Sequence, residues 1–200
     1  MGDSKIRLSA AEMEMVNDAN VILTKNTIIK KATALLITVQ EKMQDEISLY
    51  SHNNPMFTVP PKISKGENYN GFPYLVLDYP RLADEKGICF VRSMFLWGHF
   101  FSSTLHLSGY YQQRQVQKIS AAYSTLSINK YSVGVNTDPW QHHFENNNYK
   151  AVDSYSIKEF DELLSHHPHI KIATSWPVTH WEKVPDYLVD SWRFLTGLAT

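Results

Sequence analysis

The sequence predicts an α+β fold: an antiparallel sheet on a central meander of about 74–79, 88–97 and 99–108, packed with N-terminal and C-terminal helices. Three observations point there. The stretch from Pro73 to Tyr111 holds three consecutive runs rich in β-branched and aromatic residues, punctuated by Pro and Gly. The middle run, GICFVRSMFLW, is apolar on both faces except for Arg92, which is the pattern of a central strand covered on both sides. An amphipathic stripe at Ala32, Leu35, Leu36, Val39, Met43, Ile47 and Tyr50 supplies a helix to cover it.

The elements follow in order. Ser9 and Glu12 form a capping box, with Leu8 placed to staple against Met13, so a helix starts at Ala10. Apolar spacing runs through Met13, Val16 and Leu23, then loses phase before the stripe from Ala32. One helix over both would be roughly 60 Å long at ~1.5 Å per residue. A compact chain of this length has a radius of gyration of only about 16 Å. A break near 20–27 is therefore expected. Residues 51–72 are rich in Pro, Gly and Asn and read as a loop. Trp97-Gly98 marks a hairpin tip. A two-residue tip would set Leu96 opposite His99, Arg92 opposite Ser103 and Cys89 opposite His106.

Residues 113–127 return to helical spacing, 131–135 alternate like a short strand, and 136–149 are polar and irregular. A second capping box, Ser156 with Glu159, opens a helix that Pro168 stops. IKIATSW reads as a strand. Pro185 suits the first turn of a last helix carrying Leu188, Trp192 and Leu195, with Gly197 as its stop. No repeat or linker divides the chain, so one globular domain over 1–200 is expected.

Composition narrows the function classes. Hydrophobic residues are 43%, charged residues 20%, and the net charge is −1 with Lys and Arg dispersed. A nucleic-acid partner would want a basic patch, and none is written in the sequence. The most hydrophobic segment, 87–101, is interrupted by Arg92, Ser93 and His99, short of the ~20 apolar residues of a membrane helix. The N-terminus lacks a secretory apolar core, and one cysteine, Cys89, suits a reducing compartment. A cytoplasmic setting is expected, with homo-oligomers left open.

This order of elements, with the pieces GFPYLVLDYP and SMFLWGHFF, resembles the YktB-type domain of bacterial proteins. That resemblance implies N-terminal helices, a Pro-rich loop, a strong central hairpin, then a strand and a terminal helix. The family has no established activity, so the likeness implies no site residue.

Candidate chemistry starts at Arg92, which shares its strand face with Ile88, Phe90, Met94 and Leu96. A guanidinium among apolar neighbours needs a carboxylate, and Asp78 or Glu67 can supply one. Such a pair is usually structural, but the same fork of donors suits an anionic ligand. Lys65, Glu67 and Asn68, in a loop beside the sheet edge, join Arg92 and Asp78 as ligand-binding candidates. Nine histidines raise a metal reading through His142 and His143, and through His166, His167 and His169. Neither group has metalloprotease spacing, and no Cys pair suits structural zinc, so no cofactor is evident. Cys89 beside His106 would make a thiolate–imidazole pair, although a cysteine between Ile88 and Phe90 is usually a core hydrophobe. No nucleophile elbow or phosphate loop occurs. The expectation is a ligand-binding or protein-interaction module, for a small anionic molecule, with a metal-assisted hydrolase using the histidines as the alternative.

Overall fold

The computed structural model describes residues 6–50 and 54–200. The capping box at Ser9 and Glu12 forms and starts α1, Ala10–Asn17. Helix α2, Ala19–Tyr50, then runs unbroken for 32 residues. The expected break thus lies at Asp18, not within 20–27. No Pro or Gly interrupts 19–50, so the backbone has no local reason to stop. The loss of phase has a different cause. Ala32, Leu35, Leu36, Val39 and Met43 are buried on the body, whereas Val21, Ile22 and Leu23 lie exposed on a stretch that overhangs it. The Tyr50 side chain, the last of the stripe, lies outside the described residues.

Residues 51–53, the start of the expected loop, also lie outside the described residues. The rest of that stretch is not all loop, because Lys62–Tyr69 is a strand, β1. It pairs on one side only, with Phe72–Asp84, β2. Its side chains are exposed or half-buried, so no apolar alternation marks it. The two strands join through Asn70-Gly71, whose φ values of 52° and 89° are those of a tight hairpin turn.

Gly87–Leu96 is β3 and Phe100–Ser108 is β4. Their connection has three residues, because Leu96 pairs with Phe100. The register moves by one from the expected pairing: Arg92 faces Thr104 and Cys89 faces Leu107. Cys89 and His106 therefore point to opposite faces of the sheet, and the thiolate–imidazole pair does not form. Beyond β4 come α3 (Gly109–Ala121), α4 (Tyr123–Ile128), β5 (Ser132–Gly134) and β6 (Tyr149–Ala151). The second capping box starts α5, Ile157–His166, as expected. Strand β7 is His169–Pro177 and α6 is Val184–Ala199. Gly197 does not stop α6, which carries on to Ala199.

The seven strands form one antiparallel sheet in the order β1-β2-β3-β4-β7-β5-β6. Helices cover one face, here called the inner face. There Leu75, Leu77, Val91, Phe95, Phe101, Leu105, Ile170 and Ile172 join the α2 stripe and Leu188, Trp192 and Leu195 of α6 in one core. The Trp192 indole donates to the Tyr79 carbonyl at 2.7 Å, locking α6 onto β2. Among the described residues no helix is long and apolar enough to cross a membrane.

One backbone position holds β3 against the start of α3. Gly87 has φ 135°, and a methyl there would collide with the Ser108 carbonyl. Gly87→Ala combines a strained conformation with that clash, so a loss of about 2 kcal/mol is expected in urea unfolding. An unchanged midpoint would show that β3 and β4 can part without cost.

Candidate functional site

The outer face of the sheet carries the polar chemistry. Strand alternation sends Tyr74, Val76 and Asp78 of β2 to this side, with Phe90, Arg92, Met94 and Leu96 of β3. Thr104 and His106 of β4 and His169 and Lys171 of β7 continue it. Among the described residues no helix covers this face. Its cover is the loop 135–148 between β5 and β6, which turns back across the sheet. Trp140 stacks on Phe90 at 6.2 Å and meets the His106 ring edge at 5.8 Å. Phe144 stacks on Tyr149 and meets Phe100 edge-on.

The loop is tied by polar contacts. The Tyr69 hydroxyl accepts from the backbone N–H groups of His142, at 2.6 Å, and His143, at 3.1 Å. The Asn148 amide donates to the His143 carbonyl at 2.6 Å. The Lys171 ammonium donates to the Gln141 carbonyl and lies over the Tyr149 ring, 4.7 Å from its centroid. These bonds hold residues 141–143 beside Arg92.

Arg92 forms a bidentate pair with Asp78: Nε donates to Oδ1 at 2.7 Å and Nη2 to Oδ2 at 2.8 Å. Nη1 contacts His142 Nε2 at 3.2 Å. Arginine has no acceptor, so His142 Nε2 must present its lone pair, and the ring proton sits on Nδ1. Burial, with the nearby charges of Arg92 and Lys171 adding to it, pushes the His142 pKa down to about 3. The same causes act on His106, which burial and its neighbours His169, Lys171 and Arg92 lower to about 3. His169 falls to about 4 through burial and the proximity of His167 and Lys171. Burial first, and Arg92 second, lower the Lys171 ammonium to about 8. Arg92 and these four basic side chains thus crowd one layer, where burial first and the neighbouring positive charges second disfavour protons on the histidines and on Lys171.

Between this layer and β1 opens a cleft of about 590 Å³. Asp78 and Arg92 lie on its floor, Tyr74 and Phe90 form apolar patches, and Trp140 and His142 make the loop-side wall. Lys62 and Arg81 stand on the β1–β2 side.

The sequence candidates separate on this map. Arg92, Asp78 and His142 come together at the cleft. Glu67 does not, because it pairs with Lys25 of α2 at 2.7 Å. Asn68 serves the β1–β2 turn, accepting from Gly71 N–H at 2.9 Å. Lys65 pairs in register with Leu75, an inner-face residue, one step out of phase with the cleft. The histidines do not converge as a set. His143 bonds to Tyr69 and Asn147, His166 to the Glu162 carbonyl, and His167 to the His169 carbonyl. Among the described residues no group of three or more His, Cys, Asp or Glu side chains is placed to hold a metal ion. Cys89 is fully buried on the inner face, where burial pushes its thiol up to about 12, far from nucleophilic use.

Sequence reasoning set His106 beside Cys89 rather than in this layer, and it missed Lys171, Tyr69 and Tyr149. A signal existed for His106 and Lys171. FFSSTLHLS places Ser102, Thr104 and His106 at alternate positions, and HIKIA does the same with His169 and Lys171. Such alternation on central strands means a polar layer on one face.

No protein-family model, curated protein or solved structure matches the chain.

Proposed function

We propose that the chain is a binding module for a small anionic molecule with a planar or apolar portion, held in the outer-face cleft. The observation that carries this reading is the charge of the lining. Lys62, Arg81 and Arg92 stand against the single carboxylate of Asp78. Arg92 is also oriented before any ligand arrives. Three of the five N–H groups of a guanidinium are engaged by Asp78 and His142, and two remain to meet an oxyanion. A donor fixed in this way loses little freedom on binding. The volume falls within the range usual for small-molecule sites, and Tyr74, Phe90 and Trp140 offer ring faces to an apolar part of the ligand.

The test is a thermal-shift and calorimetric titration against panels of aromatic carboxylates and phosphates, each beside a neutral isostere. An anion should bind saturably while its neutral isostere does not. Arg92→Met should weaken that binding by about 10- to 100-fold, the worth of one or two charge-assisted hydrogen bonds. Equal binding by the Arg92→Met protein, or no saturable anion in either panel, would overturn the reading.

A further inference from the structure

The overhanging arm made of α1 and the first turns of α2 has no cover among the described residues of the body. Ile6, Leu8, Met13, Met15, Val16, Val21, Ile22 and Leu23 are large apolar residues, each between 44% and 82% exposed. α1 itself contains no buried residue. Isolated exposed apolar residues are ordinary, but eight within 18 consecutive positions (6 to 23) make a patch. Their combined area is on the order of the ~800 Å² that each partner buries in a standard interface.

Charge on the arm shows which surface would cover it. Residues 6–18 carry Glu12, Glu14 and Asp18 against one cation, Arg7, a net charge of −2 (three acidic less one basic). Residues 19–40 carry Lys25, Lys30 and Lys31 and no Asp or Glu. The arm is therefore acidic at its tip and basic toward its root, with Val21, Ile22 and Leu23 between. A surface of this kind is complementary to itself when turned end for end. α1, at eight residues, is roughly 12 Å long at ~1.5 Å per residue, and the step from Leu23 to Lys31 is the same eight residues. Asp18, extended between α1 and α2, makes α1 a separate piece, and an antiparallel pair centred on Ile22 and Leu23 turns each acidic α1 toward the partner's basic root. A parallel pair would set like charges together, which is destabilising.

The root also holds a place for the tip's apolar side chains. An open groove of about 480 Å³ lies beside Ile28 and Lys31, with Phe95, Trp97, Val178 and Trp181 on its walls and Glu182 at its edge, so it takes the tip's apolar side chains while Lys30 and Lys31 meet its acids. We propose that this arm is the interface of a two-fold symmetric homodimer, in which the acidic, Met-bearing α1 of one copy lies along the Lys30 and Lys31 root and groove of the other. The symmetry is the isologous kind that a self-complementary patch requires.

Sedimentation of the full chain at tens of micromolar tests it, with a dimer expected at twice 23.1 kDa. Ile22→Glu with Leu23→Glu should give a monomer, weakening association at least 100-fold, and should leave the circular dichroism of the body unchanged. Charge variants then test the pairing itself. Glu14→Lys alone, and Lys30→Glu with Lys31→Glu alone, should each weaken self-association about tenfold. Mixing these two proteins should restore a heterodimer. A wild-type monomer at 100 µM, or a mixture of the charge variants that associates no better than either alone, would overturn the proposal. Wild-type protein that stays monomeric and co-floats with phosphatidylcholine vesicles would overturn it in favour of a lipid surface as the occupant.

Discussion

Lowering the pH from 7 to 5 is expected to weaken the fold by on the order of 5 kcal/mol, an effect carried by three histidines. His106, His142 and His169 sit at about 3, 3 and 4 when folded, against an ordinary value of 6.5. These are bases whose pKa is depressed by folding, so the unfolded chain binds their protons first. Stability is therefore fully present above about pH 6.5 and is lost as the pH falls toward 3 to 4. Each histidine contributes about 1.4 kcal/mol per pH unit within that window. His106 and His169 are 2% and 4% exposed, so solvent screening takes little from the figure. Other groups do not confuse the measurement. The Lys171 penalty accrues between pH 10.5 and 8 and is nearly complete by pH 7. The carboxylates lowered by their hydrogen bonds, such as Glu12, Glu67 and Asp138, act only as the pH falls through the carboxylate range, below the span from pH 7 to 5. Urea midpoints at pH 7, 6 and 5 read the slope directly, and His106→Gln should flatten it by about a third. Superimposable transitions at pH 7 and 5 would show that these rings reach water in the folded state.

The same histidines bear on the cleft. His142 can accept from Arg92 only while its Nε2 is unprotonated. Because its value is pushed down to about 3, folded His142 keeps that lone pair far below pH 5, and the contact that orients the guanidinium lasts as long as the fold does. Anion binding by the folded fraction should therefore change little between pH 7 and 5, and any loss over that range should follow the loss of fold.

How much of this was legible in the sequence depends on whether neighbours in space are neighbours in sequence. The β3 and β4 strands, both capping boxes and the stripe on α2 each write their pattern within about twenty residues, and each forms close to where it was read. Strand β1 could not be read that way. It is an edge strand with half-exposed side chains, and its only local mark, Asn70-Gly71, also occurs in ordinary loops. Continuity of α2 was misjudged because a compact body was assumed to bury every helix it contains, whereas this one overhangs. The register of β3 and β4 turned on whether the tip holds two residues or three, and a one-residue change reassigns every facing pair.

The outer layer was the least legible part. His106, Lys171, His142 and Tyr69 come from β4, β7, a loop and β1, up to 102 residues apart (69 to 171). Each alone looks like an ordinary polar residue on an alternating strand or in a loop. Arg92 stood out because a charge between Phe90 and Met94 breaks an otherwise apolar face, whereas His142 was read as a metal candidate and His106 as a partner of Cys89.

Arg92→Ala is expected to lower stability by about 3 kcal/mol, at the lower end of the usual cost of breaking a buried ion pair. The side chains of Arg92 and Asp78 are 14% and 18% exposed, so neither is screened as a surface pair would be. Removing the guanidinium leaves the Asp78 carboxylate with neither of its charge-assisted hydrogen bonds, deprives His142 Nε2 of its donor, and opens space beside Phe90. Arg92→Met keeps much of the volume and should cost about 1 kcal/mol less than alanine, since it orphans the same carboxylate without the cavity. If orphaning is the larger part of the cost, removing the carboxylate as well should recover most of it. Arg92→Met with Asp78→Leu should then return to within about 1 kcal/mol of the parent, as apolar replacements of buried pairs often do. Urea unfolding of the two single variants and the double variant closes the cycle, and an unchanged midpoint in Arg92→Ala would show that water already solvates the guanidinium. A double variant that is stable and no longer binds anions would separate the two tasks of the pair. In that outcome the fold would do without the charge on this strand, and the proposed anionic ligand would account for a guanidinium among apolar neighbours.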